Sequence, residues 1–433
     1  MKMTVVGAGY VGISTALCFA HAGHKAVLLE CAAERLTELQ AGRCPFYEPL
    51  VQEWLSELSG SGMISVTSSP AQAIPFGDIV WIAVNTPAGS EHHLDLCALE
   101  TVMADIVKYG TPKTVVAVKS TVTAGTCRWL LRRMREELTF FDIPLVFSPE
   151  FLREGHAISD FLNPSRVILG TENGEIPKLV SEAYQSLGIP STRIISTTFE
   201  NAEVIKQASN SFLAVKLTYV NELANYCRRV SADIHTVVYG MGLDTRIAPG
   251  YMETGLGYGG ACLPKDTEAL ATDAFQKGTP LTVLQQAISA NDAQIKYAAD
   301  AVRRHMPVGS TLAVWGVAFK PESGDLRCSP AWHVLSILME HPTYYFQLYD
   351  PYFKNWQMGD FSDPDCIRIC PNANEAAENA DGLLILTAHE SFRKADLKAI
   401  RLRMRGHFLF DFFNFVSDQS AKTAGLVRIT KVD

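Results

Sequence analysis

A chain of 433 residues exceeds what a single hydrophobic core usually organises, so two or three domains are expected. Hydrophobic residues make up 47% and charged residues 19%, as in an ordinary globular protein, and the net charge of −8 argues against a nucleic-acid binder. No apolar run reaches the ~18 residues of a membrane span, and the 10 cysteines lack paired spacing, so a reduced, cytoplasmic protein without disulfides or zinc is expected.

The first residues, MKMTVVGAGY, run directly into an apolar strand and leave no room for a signal peptide. Met3 to Val6 is followed at once by Gly7-Ala8-Gly9-Tyr10-Val11-Gly12, then by apolar residues at helical spacing up to Gly23, a helix-ending glycine. A second strand, AVLLE, ends in Glu30. Strand, glycine turn, helix, strand and acid in that order make a Rossmann dinucleotide unit. Gly7 permits the tight turn, Gly9 lets backbone approach a pyrophosphate at the helix N-terminus, and Gly12 lets helix and strand pack closely. The Glu30 carboxylate can bind both ribose hydroxyls and would repel a 2′-phosphate, which favours NAD over NADP.

Further strands are read in DIVWIAVNTP (78 to 87), TVVAVKSTV (114 to 122) and the start of PLVFSPEFLREG (144 to 155). Ligands of open α/β sheets sit outside the carboxyl ends of the strands, so Asn85, Thr86, Ser120 and Thr121 are placed to line a site. Glu150 and Glu154 follow, four residues apart. In the loop GSEHHLD (89 to 95), adjacent His92 and His93 would point apart, and a solvated loop is expected there in place of a metal site.

From Asn201 to about Val230 the chain has neither proline nor glycine, and Val204, Ala208, Phe212, Val215 and Tyr219 mark an apolar stripe. The implied helix, about 45 Å long, could separate two domains and present a surface for subunit pairing. Lys206 and Asn210 share one of its faces. In GYGGACLPKD (257 to 266), glycines prepare a loop for positive φ and close backbone approach just before Cys262. That thiol, beside Lys265, reads either as a nucleophile of lowered pKa or as a buried structural cysteine after a flexible turn.

TLAVWGVAFK (311 to 320) repeats the strand-then-glycine entry, YFQLYDP (345 to 351) supplies a second strand ending at Asp350, and GLLILTAH and HFLFDFFN supply later ones. This second domain lacks GxGxxG and so is not expected to hold a second dinucleotide. Lys320, Asp325 and Arg327 fall on its loop GVAFKPESGDLRCSP, where cations could hold an anion. The expected architecture is α/β, with two Rossmann-like doubly wound domains (1–200 and 301–433) joined by a central long-helix domain (201–300).

Taken in order, GAGYVG, AVNTP, VKSTV, SPEFLREG, the helix from Lys206 to Asn210, GLGYGGACLPKD and GVAFKPESGDLRCSP resemble the UDP-glucose/GDP-mannose dehydrogenase family, over nearly the whole chain. The resemblance implies NAD-dependent, four-electron oxidation of a sugar C6 alcohol to a carboxylate, without release of the aldehyde. It makes Cys262 the nucleophile that captures the aldehyde, Lys206 the cation that stabilises the covalent intermediates and Asn210 its hydrogen-bonding partner. Asp266 becomes the acid/base residue, acting with an ordered water and Thr121. Glu154 activates water for thioester hydrolysis, with Glu150 in support. Phe151, Leu152, Lys206, Asn210, Tyr251, Gly259 and Lys320 would hold the nucleotide sugar, and Arg246 would reach it from a neighbouring subunit of a homodimer. Gly7, Gly9, Tyr10, Val11, Gly12, Glu30, Thr86, Thr121, Lys265 and Arg327 would hold NAD.

Some positions depart from the family pattern. Glu30 replaces the more usual aspartate, Leu263 stands where phenylalanine is frequent, Ala261 where serine is frequent, and DFFN (411 to 414) lacks an arginine often found there. The segment GLGYGGACLPKDTEAL leans toward UDP-glucose as substrate, with GDP-mannose and UDP-N-acetylhexosamines as alternatives. A two-electron β-hydroxyacid dehydrogenase would have no need of Cys262 or of the second α/β domain.

Overall fold

A computed structural model describes residues 1–138, 141–340, 344–352 and 366–429. The chain divides into two compact units, Met1–Ser209 and Asn210–Asp433.

The first unit opens with β1 (Lys2–Val6), α1 (Tyr10–His21), β2 (Lys25–Leu29), α2 (Ala33–Gln40), α3 (Val51–Gly60) and β3 (Ile64–Thr67). It continues through α4 (Pro70–Ala73), β4 (Ile79–Ile82), α5 (Cys97–Tyr109), β5 (Val115–Val118), α6 (Thr126–Glu137) and β6 (Leu145–Phe147). α7 (Ala157–Leu162), β7 (Val167–Thr171), α8 (Lys178–Ser186) and β8 (Ile194–Thr198) extend it. The strand order is β3-β2-β1-β4-β5-β6-β7-β8. The first six strands are parallel and follow the Rossmann order, which reverses between β1 and β4 and opens a crevice there. Phe147 of β6 meets Gly170 of β7 in antiparallel pairing.

The apolar runs become strands because helices cover both faces of the sheet. In β4, Ile79 and Trp81 enter one core with Met3 and Val5, while Val80 and Ile82 enter the other with Val6 and Val118. A strand buried on both sides needs no polar alternation.

α9 (Phe199–Val230) begins in the first unit and continues into the second, followed by α10 (Ile234–Gly242), α11 (Leu263–Gln276) and α12 (Thr282–His305). Next come β9 (Thr311–Trp315), α13 (Pro330–Met339), β10 (Tyr345–Tyr349), β11 (Ile367–Ile369), α14 (Ala373–Ala376) and β12 (Gly382–Ile385). α15 (Glu390–Arg393), α16 (Leu397–Arg403), β13 (Phe408–Asp411), α17 (Asp418–Ala424) and β14 (Val427–Ile429) complete the described chain. The second sheet, β11-β10-β9-β12-β13-β14, is parallel throughout and repeats the order of the first six strands. Two Rossmann-like sheets separated in sequence by long helices are therefore present, as expected.

On α9 the apolar stripe faces outward: Val204, Phe212 and Tyr219 are 43%, 65% and 54% exposed. The buried face carries Glu203, Lys206, Gln207, Asn210 and Ser211. Charged groups stay buried only with partners, and Glu203 shows how: its carboxylate accepts the N–H groups of Gly125 and Cys127, each at 2.7 Å, at the start of α6.

Candidate active site

The glycine turn after β1 is built for backbone proximity. A Cβ at Gly12 would lie 1.8 Å from the Gly7 carbonyl oxygen, whereas one at Gly9 would meet nothing within 4 Å. Gly9 is also the N-cap of α1 and supplies no side-chain cap, so open space adjoins helix N–H groups. These residues fit a dinucleotide pyrophosphate. Glu30 directly follows β2 and accepts hydrogen bonds from Ala8 N (3.0 Å), Ala32 N (2.8 Å) and Arg35 Nη1 (3.2 Å). Burial pushes its carboxyl up, but the two N–H groups and Arg35 outweigh that and leave it below the usual carboxylate range. An ionised acid thus stands where this fold places the ribose hydroxyls. Across the crevice, Thr86 Oγ1 donates to the Thr121 carbonyl at 2.8 Å, tying the loops after β4 and β5 together.

The loop between β6 and α7 carries the paired glutamates. Lys206 Nζ, nearly fully buried, lies 3.0 Å from Glu150 Oε1, donates to the Glu150 carbonyl at 2.7 Å and sits 5.2 Å from the Phe151 ring centre. Leu152 N donates to Glu150 Oε2 (2.6 Å) and Arg153 N to Asp160 Oδ2 (3.0 Å). Gly155 N and Ala157 N donate to the two oxygens of Glu48, both at 2.7 Å. A cavity of about 300 Å³ lies against this loop, lined by Glu150, Phe151 and Leu152 together with Lys119, Arg166 and Tyr184. The Arg166 guanidinium lies 3.8 Å from the Phe151 ring centre, so two cations stand close to that ring.

One turn beyond Lys206, Asn210 belongs to the second unit. Its Nδ2 donates to Asp266 Oδ2 at 2.6 Å, and Lys265 Nζ donates to Asp266 Oδ1 at 2.6 Å. Cys262 is the N-cap of α11, and its carbonyl accepts the Asp266 N–H at 3.0 Å, so thiol and carboxylate stand one helical turn apart. The glycines ahead of Cys262 serve close packing. Gly257 has φ +121°, and a Cβ on Gly259 would come within 2.3 Å of the Cys328 carbonyl oxygen. Buried amides fix the same loop: Gly255 N donates to Asn221 Oδ1 (2.8 Å), Tyr258 N to Asn291 Oδ1 (2.7 Å), and Gln294 Nε2 to the Gly255 carbonyl (2.8 Å). Cys262 itself is half-buried.

The loop that carries Lys320 and Arg327 packs on the glycine loop before Cys262, where Gly260 N donates to the Cys328 carbonyl at 3.2 Å and a Cβ at Gly260 would meet the Phe319 ring at 2.6 Å. Lys320 Nζ sits 5.4 Å from the Phe319 ring centre. Arg327 pairs with Asp325 at 2.5 Å, and Arg246, 87% exposed, pairs with Asp244 at 2.6 Å. Tyr251 holds a positive φ of 59°. In the second sheet Asp350 takes the place of Glu30, but it accepts the N–H groups of Val317 (2.9 Å) and Ala318 (3.2 Å) and holds its own turn closed. Among the described residues no three His, Cys, Asp or Glu side chains gather as a metal site requires, and no helix is long and apolar enough to cross a membrane.

Glu48, Glu203 and the amides around Gly255 were not singled out from the sequence. Asn291 and Gln294 did leave a signal: on α12 they interrupt a buried face formed by Leu284, Ala287, Ile295 and Ala298. Glu48 left none, since its partners lie 107 and 109 residues away.

Comparison with known proteins agrees with this geometry from end to end. The NAD binding, central and UDP binding domains of the UDP-glucose/GDP-mannose dehydrogenase family match residues 1–188, 200–293 and 313–418 in turn. A UDP-glucose 6-dehydrogenase of Rhizobium meliloti is 35% identical, with 98% of this chain and 97% of that protein covered. The solved UDP-glucose dehydrogenase of Pyrobaculum islandicum matches with a TM-score of 0.89 at 29% identity, covering 97% of this chain and 95% of that one. The GDP-mannose dehydrogenase of Pseudomonas aeruginosa matches with a TM-score of 0.54 at 26% identity, covering 96% and 97%. With a glycine turn fitted to NAD, a buried Lys206–Glu150 pair and a half-exposed cysteine at the head of a helix, the chain belongs to the UDP-glucose/GDP-mannose dehydrogenase family of NAD-dependent nucleotide-sugar oxidoreductases.

Proposed function

We propose that the protein oxidises UDP-glucose to UDP-glucuronate through a thioester on Cys262. The observation that carries this reading is the placement of Cys262 one turn ahead of the buried Asp266, on a loop fixed by buried amides. NAD, when bound, takes up a hydride in each of the two oxidations. In the first, Asp266, acting through a water held with Thr121, receives the proton of the C6 hydroxyl as the alcohol becomes an aldehyde. Cys262 Sγ then bonds to the aldehyde carbon, and Lys206 and Asn210 stabilise the charge on its oxygen. The second oxidation converts this thiohemiacetal to a thioester.

In the hydrolytic step a water oxygen forms the new bond to the acyl carbon and its proton passes to Glu154. The C–S bond breaks and its electron pair leaves on Cys262. The sum is one alcohol, one water and two NAD converted to one carboxylate, two NADH and three protons. Glu150, already paired with Lys206, keeps that cation in place between turnovers.

UDP-glucose is favoured over GDP-mannose because relatives named UDP-glucose 6-dehydrogenase match nearly end to end at 35%, 32% and 31% identity. The likeness in fold points the same way, with a TM-score of 0.89 for the solved UDP-glucose dehydrogenase against 0.54 for the GDP-mannose enzyme. A homodimer is part of the proposal, with the outward stripe of α9 as its contact and Arg246 serving the neighbouring site. A reducing, cytoplasmic setting would keep Cys262 a thiol.

The test is NADH formed per sugar consumed, with UDP-glucose, GDP-mannose and a UDP-N-acetylhexosamine in parallel. Two per UDP-glucose is expected. Two per another sugar would move the substrate, and one per sugar would remove the thioester.

A further inference from the structure

Between α2 and α3 the chain makes an excursion over residues 41 to 50, and of these Glu48 alone is buried, at 4% exposure. Among the described residues no lysine or arginine pairs with it; the carboxylate is held instead by the N–H groups of Gly155 and Ala157, both at 2.7 Å. Burying a charge is costly unless it is compensated, and two short charge-assisted hydrogen bonds supply that compensation. Leu50, with φ +66°, bends the chain two residues after it.

The recipients give this carboxylate its purpose. The loop from Glu150 to Ala157 has its N–H groups taken in sequence: Leu152 by Glu150, Arg153 by Asp160, Gly155 by Glu48, His156 by the Arg153 carbonyl (2.9 Å) and Ala157 by Glu48. Glu154 sits in the turn with its backbone neighbours fixed on both sides, by Asp160 before it and Glu48 after it. Gly155, φ +82°, adopts a conformation that favours glycine, and the Glu48 bond to its N–H keeps the turn there.

We infer that Glu48 is a positioning residue for the hydrolytic half of the reaction, holding through the Gly155 and Ala157 N–H groups the turn that aims the Glu154 carboxylate at water. The inference rests on the role proposed above for Glu154. The Glu48 carboxylate takes its hydrogen bonds from backbone N–H groups, so its loss should leave both oxidations largely intact. An amide at this position could accept from one N–H group but would turn its own NH₂ toward the other.

The experiment is Glu48→Gln in the full chain, followed by rapid mixing with UDP-glucose and excess NAD and by intact-mass measurement of quenched samples. Hydrolysis is expected to slow about 100-fold, the effect of a displacement on the order of 1 Å, while each oxidation stays within about threefold. The signature is a burst of two NADH per site, a slow phase, and a covalent sugar adduct on Cys262. Glu48→Asp keeps the charge but shortens its reach, and it should show the same adduct at lower occupancy even if the glutamine variant does not fold. Wild-type turnover in the variants, or a loss spread over all steps without an adduct, overturns the inference. Wild-type enzyme that forms no NADH from UDP-glucose would overturn the proposed function, and this inference with it, in the control itself.

Discussion

Cys262 is half-exposed at the head of α11, whereas Cys18 and Cys127 are buried and burial pushes both thiols up. Thiolate chemistry at Cys18 and Cys127 is thereby disfavoured, which leaves the proposed role of Cys262 as the one to test. Cys262→Ala should reduce uronate formation by more than about 1000-fold while leaving NAD affinity within about twofold, as calorimetric titration and product assay would show. Asp350 allows a test at low pH. Burial pushes its carboxyl up, but His389 Nε2, 3.4 Å away, and the Val317 and Tyr352 N–H groups outweigh that and hold it below the usual range. A depressed folded-state pKa stabilises the protein above the ordinary value and loses that effect as pH falls through the folded one. The gap in melting temperature between wild type and Asp350→Asn should be steady above about pH 5 and shrink below about pH 4. A gap that widened toward acid would contradict the assignment.

Elements were legible where one physical signal dominates. β4, β5, β9 and β12 are apolar on both faces and stand out as runs. β8 reads Ile-Ile-Ser-Thr-Thr and is mostly half-buried or exposed, so its sequence carries no comparable signal. α9 was legible as a helix, but its apolar period marks the outward side because its inward side carries polar groups, among them Glu203, Lys206 and Asn210 with their partners. The loop before Cys262 was legible as glycine-rich, but not as fixed, since its anchors lie on α9, α12 and the loop before α13. Asn291→Ala would leave the Tyr258 N–H without its acceptor inside the protein, a cost of about 1–3 kcal/mol in stability. Its effect on turnover should exceed its effect on KM if the loop carries the nucleophile as proposed; equal loss in both would place the amide in substrate binding.

At the scale of the molecule, one strand order serves twice, and the difference lies in what the acid after the second strand does. Glu30 takes one N–H of its glycine turn, that of Ala8, and leaves open space beside Gly9, whereas Asp350 takes two N–H groups of its turn, those of Val317 and Ala318. That fits a single dinucleotide site per chain, and equilibrium binding should give one NAD per chain. The outward residues of α9 are the contact of the proposed homodimer. Phe212→Glu, placed in a stripe with Val204 and Tyr219, should shift sedimentation to the monomer and lower activity with it; a variant that sediments like wild type would put the contact elsewhere.

The continuous run of α9 through Lys206 and Asn210 limits how the chain can vary in length. A helix turns about 100° and rises about 1.5 Å for each residue. One residue inserted between these two would take Lys206 and Asn210 off the face of the helix that they share. Insertions are cheap in surface loops such as residues 89 to 95, but the four-residue step from 206 to 210 is a fixed gauge, and homologues should differ in length almost anywhere else first.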